Sequence, residues 1–304
     1  MPPSKEDNVL SQLKILWKTI FQDSDDYIDL FFTRVYQPDN VLFIKHNDII
    51  VSALHIIPYE IKIDRHIYPV AYICGVATMP DFRHKGYMTS LLNEAENICR
   101  QRRYKAILLI PASQSLADMY RSLGYELRGQ TLAVVSEPCK RFEQGNEGTS
   151  EQLQITNYKL RDEGTIRVST SADFAFFDRL QRQRPAAILH NAADFETIIR
   201  YLKLDGGNAF ITLINNQPVS IAFVSPQPDN TLLIRDILTE EKHHTEYIIN
   251  SLMILYNCTS ALIHLPPHDT AAAAPTTSSA ALIKSLDPNL TNRLSTLHVA
   301  LMLE

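Results

Sequence analysis

The chain writes one hairpin twice, and this repeat constrains its fold more than any other feature. Val41 to Pro58 reads VLFIKHNDIIVSALHIIP, and Ala209 to Pro226 reads AFITLINNQPVSIAFVSP, in register without a gap. Each copy has an apolar run, a polar turn with Asn47 or Asn215 at the same place, a second run in which Val51-Ser52 matches Val219-Ser220, and a closing proline. Two apolar runs around an Asn-led turn predict a β-hairpin. A helical segment precedes each hairpin, Asp25 to Tyr36 and Ala193 to Leu204, and a strand, a loop and a helix follow it. A chain of 304 residues is long enough for two ordinary domains. The repeat therefore predicts a domain over 1–140, a linker over 141–150 in the polar stretch that opens at Pro138, and a second domain over 151–304.

The copies differ at the loop after the third strand. In the first, Val70, Ile73, Val76 and Thr78 mark a buried strand that stops at Met79-Pro80. Arg83-His84-Lys85-Gly86-Tyr87-Met88 follows, and from Thr89 the spacing of Leu91, Leu92, Ala95, Ile98 and Cys99 predicts a helix with one buried face. Strand, tight basic loop and helix start make an anion-binding geometry. The first helical amides have no intrahelical acceptor, and the positive end of the macrodipole faces the loop. Gly86 leaves those amides unobstructed, Arg83, His84 and Lys85 bring positive charge, and Thr89 or Ser90 offers a hydroxyl, a combination suited to a pyrophosphate. In the second copy, Thr231 to Leu238 runs into Glu240-Glu241-Lys242-His243-His244-Thr245 and then a helix over Glu246 to Tyr256. That loop has no glycine and carries two carboxylates that repel phosphate, so it is expected to bind none.

Downstream of the basic loop, Ala106 to Ile110 reads as a second buried strand stopped by Pro111. Ser113-Gln114-Ser115 then offers caps for a short helix in which Leu116, Met119, Tyr120 and Leu123 share a face, and Gly124 ends it. Another strand spans Thr131 to Val135. The second copy continues with a strand over Ala261 to Leu265, a helix near Ala280 to Leu286 and a last strand over Leu297 to Leu303, while Ala271 to Ala281 reads as a mobile loop.

This ordered set resembles the GCN5-related N-acetyltransferase (GNAT) superfamily. The family's Arg/Gln-x-x-Gly-x-Gly/Ala loop, which wraps the pyrophosphate of acetyl-coenzyme A, falls on Arg83, Gly86 and Met88. Its Tyr-x-x-x-Gly-Phe/Tyr signature falls on Tyr120, Gly124 and Tyr125. Met88 is bulkier than the residue usual there, as in members resembling the enhanced-intracellular-survival acetyltransferases. The matches run over residues 41–135. The resemblance implies an α/β (α+β) chain of two GNAT-like domains, each a mixed, mostly antiparallel twisted sheet flanked by helices. It also implies acetyl-CoA as co-substrate, held by Val76, Ala77 and Thr78 on the strand and by Arg83, His84, Lys85, Gly86, Tyr87, Met88 and Thr89 at the loop. The activity it implies is acetyl transfer to a primary amine. Two alternatives stand beside it: a sensor or scaffold that binds acyl-CoA without turnover, and transfer of another acyl or aminoacyl group.

Acetyl transfer from a thioester needs a deprotonated amine, a polarised carbonyl and a proton for the departing thiolate. The resemblance places Tyr120 beside the coenzyme sulfur as the proton donor, a phenol whose ordinary pKa near ~10 keeps it protonated at neutral pH. A backbone N–H around Val76 to Thr78 would polarise the carbonyl. The segment Tyr72 to Thr78 contains no carboxylate or imidazole to act as base. For the enhanced-intracellular-survival branch the resemblance implies a chain-terminal carboxylate at the site, which points to Glu304. His55, Tyr59, Glu60, Asp26 and Tyr27 are further candidates on the substrate side.

Composition narrows the partners. The chain is 45% hydrophobic and 21% charged, the profile of a soluble globular protein. No apolar run approaches the roughly 20 residues that span a bilayer, and the start lacks the design of a signal peptide, so a cytoplasmic location and no membrane partner are expected. A formal charge of −5 speaks against nucleic acid and is compatible with a cationic amine, small molecule or peptide. Cys74, Cys99, Cys139 and Cys258 stand far apart without metal spacing, so core thiols and no metal are expected. A homo-oligomer is left open.

Overall fold

The computed structural model describes residues 5–136, 158–159, 164–240, 245–265 and 276–299. Helices α1 (Lys5–Phe21) and α2 (Asp25–Arg34) come first, then strands β1 (Val41–His46), β2 (Ile49–Ile63) and β3 (His66–Thr78). Helix α3 (Tyr87–Gln101), β4 (Ala106–Leu109), α4 (Gln114–Ser122) and β5 (Glu126–Ser136) follow. Next are β6 (Tyr158–Lys159), β7 (Gly164–Val168), α5 (Phe174–Gln183), β8 (Ala186–Leu189) and α6 (Ala192–Leu204). Strands β9 (Asn208–Ile214), β10 (Gln217–Pro226) and β11 (Thr231–Thr239), helix α7 (Thr245–Leu255), and strands β12 (Ser260–Leu265) and β13 (Thr276–Ser285) complete the order. Two compact units result, and neither is a single stretch of chain. One holds the described residues through Gly129 together with Ala280–Leu297, the other those of Gln130–Ser279 and from His298.

In the first unit, β1 and β2 pair antiparallel around Asn47 and Asp48, whose φ values of 49° and 63° suit the turn that tight hairpins favour. Strand β3 pairs antiparallel with β2 and parallel with β4, and β13 closes the other edge of β4 antiparallel. Because successive side chains in a strand point to opposite faces, β2 serves two layers. Leu54 and Ile56 pack with Leu91, Leu92, Ala95 and Cys99 of α3 and with Ala117 and Tyr120 of α4. His55 turns the other way, against Trp17 of α1 and Phe31 and Phe32 of α2. Ser24 caps α2 by accepting from the Tyr27 amide, and Asp25 and Asp26 occupy its first turn.

The second unit repeats this layering. Strands β9 and β10 turn through Asn215 and Asn216 at φ 50° and 60°, and β11 pairs antiparallel with β10 and parallel with β12. Helix α7 packs Ile248, Ile249, Leu252 and Met253 on one face of the sheet. Helices α5 and α6 bring Phe177, Leu180, Phe195 and Leu202 to the other. The repeat seen in eighteen residues of sequence thus extends to two helices, three strands and a covering helix per copy.

Two expectations are corrected. The segment Ala280 to Leu286, read as a helix, is the end of β13, with Leu282, Ile283, Lys284 and Ser285 opposite Leu109, Leu108, Ile107 and Ala106. The part of the Ala271 to Ala281 tract read as a mobile loop that lies within the described residues, from Thr276, belongs to the same strand. Short apolar runs fit either period, and here the free edge of β4 decides the outcome. Helix α3 also begins two residues earlier than Thr89, at Tyr87. Cys139, the 141–150 linker, residues 241–244 and Glu304 lie outside the described residues, as does most of the last strand expected over Leu297 to Leu303.

Candidate active site

The site begins where two parallel strands part. Strands β3 and β4 pair only at Ala71 with Ile107 and at Tyr72 with Leu108. Beyond Tyr72, β3 runs on through Val76, Ala77 and Thr78 with its β4-side edge unpaired by any described strand. The parting coincides with a bulge: the β2 register jumps between Ala53 opposite Ala77 and His55 opposite Cys74. Gly75 sits in that bulge at φ +58°, and a Cβ there would come 2.5 Å from Trp17 Cζ3 and 3.0 Å from His55 Cδ2. Both the backbone angle and the close approach require glycine. On the β2 side, Ser52 Oγ donates to Ala77 O at 3.0 Å and lies 2.8 Å from Thr78 Oγ1, so the end of β3 is fixed while its other edge stays available.

The open edge feeds into the basic loop. Arg83 Nε donates to Thr78 O at 3.3 Å, and Lys85 Nζ lies 4.6 Å from the Phe82 ring centroid. His84 and Gly86 both take positive φ, 60° and 78°. A Cβ on Gly86 would meet no protein atom within 4 Å, so the backbone angle, not crowding, selects glycine there. The first intrahelical bond of α3 runs from Ser90 N to Gly86 O at 2.9 Å, which leaves the Tyr87, Met88 and Thr89 amides ahead of it. Unlike α2, this helix has no acidic residue in its first turn and no side-chain cap on its amides. Arg83, His84, Lys85 and Gly86 are exposed. The predicted binding residues are therefore contiguous: an open strand edge, a basic loop and an uncapped helix start.

Tyr120 lies on α4 in the same apolar cluster as Ile73 and Leu109, the residues just past the last β3–β4 pairing. It is 5% exposed, its ring 5.8 Å from that of Tyr125, and burial pushes its phenol up to about 12. It is a protonated donor at neutral pH. The candidate bases scatter. Asp26 and Glu60 are exposed and Tyr27 and Tyr59 half-buried. His55 is walled by Trp17, Phe31, Phe32 and Tyr36 at ring distances of 5.7, 5.0, 5.8 and 6.0 Å, and burial pulls its pKa down to about 3. It is a neutral core imidazole.

Sequence reading missed two features. Gly75 interrupts a strand pattern, which is the signal for a bulge. Lys284 reaches Glu96 and Leu123 from far along the chain, which no local pattern announces.

The second unit parts its strands in the same way, with β11 and β12 pairing parallel as far as Ile234 and Ile263. A register jump between Phe223 and Val224 again marks a bulge. Two residues past the last pairing stands Asp236, 2% exposed, held by Arg184 at 2.7 and 2.5 Å, with His298 Nε2 at 3.6 Å. Burial alone would raise the Asp236 carboxyl, but Arg184 and His298 keep it well below the carboxylate range. Gln181, His190 and Phe177 line the small cavity beside this pair. At the end of β11, Glu240 is paired with Arg179 at 2.6 Å. Among the described residues no His, Cys, Asp and Glu group could hold a metal, and no helix is long and apolar enough to cross a membrane.

The first unit thus joins a bulged central strand, parted from its parallel neighbour, to a glycine-containing basic loop at a helix start. Residues 4–128 match the model of the acetyltransferase (GNAT) domain family. Solved structures extend the likeness of fold to both units. A probable N-acyltransferase from Enterococcus faecalis aligns over 94% of this chain and 71% of its own, with TM-score 0.71 at 13% identity. A GCN5-related N-acetyltransferase from Anabaena variabilis covers 92% of this chain and 70% of its own, with TM-score 0.68 at 17% identity. Eis1 from Mycobacterium abscessus covers 92% and 72%, with TM-score 0.65 at 10% identity. No curated protein sequence matches the chain.

Proposed function

We propose that the first unit binds acetyl-CoA and transfers its acetyl group to a primary amine of a small molecule or peptide, in the cytoplasm. The observation that carries this reading is the continuity of the open β3 edge, from Val76 to Thr78, with the uncapped amides and basic side chains of Arg83 to Thr89. The pyrophosphate would lie on the loop and the pantetheine arm along the strand edge, with a β3 amide polarising the thioester carbonyl. The amine nitrogen attacks the carbonyl carbon, the carbon–sulfur bond breaks, and Tyr120 gives its proton to the departing thiolate. The phenolate regains a proton from solvent as the new amide nitrogen loses one, so free coenzyme A and the N-acetyl amine leave together. A phenol held up to about 12 keeps its proton until a strong base forms beside it.

Calorimetry with acetyl-CoA, followed by free-thiol assays on polyamine, aminoglycoside and peptide amines, tests this reading. Wild type should bind one acetyl-CoA per chain. Gly86→Asp places a carboxylate and a Cβ at φ +78° in the loop, and should weaken binding by about 100-fold or more, since one pKa-scale unit of 1.4 kcal/mol is tenfold and both strain and repulsion act. Unchanged affinity would sink the loop assignment. The exposure of Asp26 and Glu60 and the burial of His55 favour a second reading, acyl-CoA binding without turnover. Binding by wild type with no thiol release on any amine would select it.

A further inference from the structure

A lysine from the far end of the chain is built into the turn that carries Tyr120. Lys284, on β13, is 161 residues from Leu123, yet its Nζ donates to Leu123 O at 2.8 Å and to Glu96 Oε2 of α3 at 2.5 Å. The same ammonium lies 5.7 Å from the centroid of the Tyr125 ring. Its stem passes over Gly124: a Cβ there would come 3.4 Å from Lys284 Cε and 3.6 Å from Nζ. The positive φ of +87° is what calls for glycine at the end of α4, since a Cβ there would make only ordinary contact with this side chain. The turn so gripped is the one that fixes Tyr120. Leu123 N and Tyr125 N both donate to Tyr120 O, at 3.0 and 3.2 Å, and the Tyr125 ring stands edge-on to the Tyr120 ring.

We propose that Lys284 is a positioning residue for acetyl transfer: by bridging Leu123 O, the Tyr125 ring and Glu96, it locks the α4 turn against α3 and holds the Tyr120 phenol in place. The inference rests on the acetyltransferase reading above. Helices α3 and α4 and strand β13 already share an apolar cluster through Leu91, Tyr120 and Leu282, and the ammonium adds a polar tie at its edge. Glu96 is also held by Arg100 at 2.7 Å, so the anchor on α3 is itself fixed. Lys284 is half-buried, which makes its hydrogen bonds less replaceable by water than those of a surface lysine.

The test is a cycle of Lys284→Met, Tyr120→Phe and the double variant, each read for acetyl-CoA affinity by calorimetry and for kcat and KM by thiol release. Misplacing a reacting group typically costs roughly 10- to 100-fold, so Lys284→Met should lose about that factor in kcat while its acetyl-CoA affinity stays within about twofold. In the Tyr120→Phe background the same substitution should cost less than about twofold, because the group it positions is gone. Should Lys284→Met fail to fold, Lys284→Gln, which keeps a donor for Leu123 O, is read in its place. Equal losses in both backgrounds, or a loss of affinity with kcat unchanged, would overturn the positioning role alone. Absence of turnover in wild type would overturn the acetyltransferase reading and this role with it.

Discussion

At the scale of single residues, the repeat compares His55 with its counterpart Phe223. Both stand in the second strand of their hairpins and face the paired helices, Phe223 between Phe177 and Phe195, His55 among Trp17, Phe31, Phe32 and Tyr36. An imidazole in an aromatic pocket remains neutral, with its pKa drawn down from 6.5 to about 3 by burial. Above pH 6.5 the folded and unfolded states are both neutral at this group, and no pH dependence arises from it. Between pH 6.5 and about 3 the unfolded chain takes up a proton that the folded one refuses, so stability falls as pH falls. The slope approaches about 1.4 kcal/mol per pH unit within that window. His55→Phe installs what the second copy already uses and removes that slope. Urea unfolding from neutral pH down to about pH 5 should show a shallower loss for the variant; parallel curves would mean that His55 is protonated in the folded state. Gly75, pressed against His55 and Trp17, was visible in the sequence only as an interruption, because its contacts come from β2 and from α1, distant along the chain and unread by local pattern.

At the scale of elements, legibility followed local chemistry. Both hairpins, their register and the amphipathic helix α3 were readable, because strand alternation, turn residues and helical period are local properties. Strand β13 was not, because Ala281, Leu282 and Ile283 suit either period and only the vacant edge of β4 assigns them. The parting of β3 from β4 was only half legible, since Gly75 signals the bulge in β3 but where the pairing stops depends on the partner strand as well. The two hairpin turns offer a direct check on how alike the copies are. Asp48 and Asn216 occupy the same turn position at φ 63° and 60°, where glycine pays no Cβ penalty. Asp48→Gly and Asn216→Gly should each stabilise the protein by about 0.5–1 kcal/mol, seen as a raised urea midpoint with unchanged m-value. A loss at either position would show that the aspartate or asparagine side chain, not the backbone angle, holds that turn.

At the scale of the whole molecule, one scaffold serves two ends. Each copy bulges its central strand and parts it from a parallel neighbour, at Tyr72 and Leu108 in one and at Ile234 and Ile263 in the other. The first copy follows the parting with apolar and small residues and an exposed basic loop; the second places Asp236 there, clamped by Arg184 and approached by His298. A bidentate ion pair at 13% and 3% side-chain exposure thus stands just past the parting, at the register position that Cys74 holds in the first copy. The proposed stoichiometry of one acetyl-CoA per chain rests on that difference. The second copy's own stability should depend on the pair. Removing one partner of a buried ion pair leaves a charge without compensation and costs about 3–5 kcal/mol, whereas replacing both with apolar residues of similar size is often neutral. Arg184→Met should therefore lower the unfolding midpoint sharply, and Arg184→Met with Asp236→Leu should recover most of the loss. Acetyl-CoA stoichiometry should stay at one in the double variant if the pair is structural. A second binding event on its removal would instead reveal that Arg184 and Asp236 had been closing a competent site.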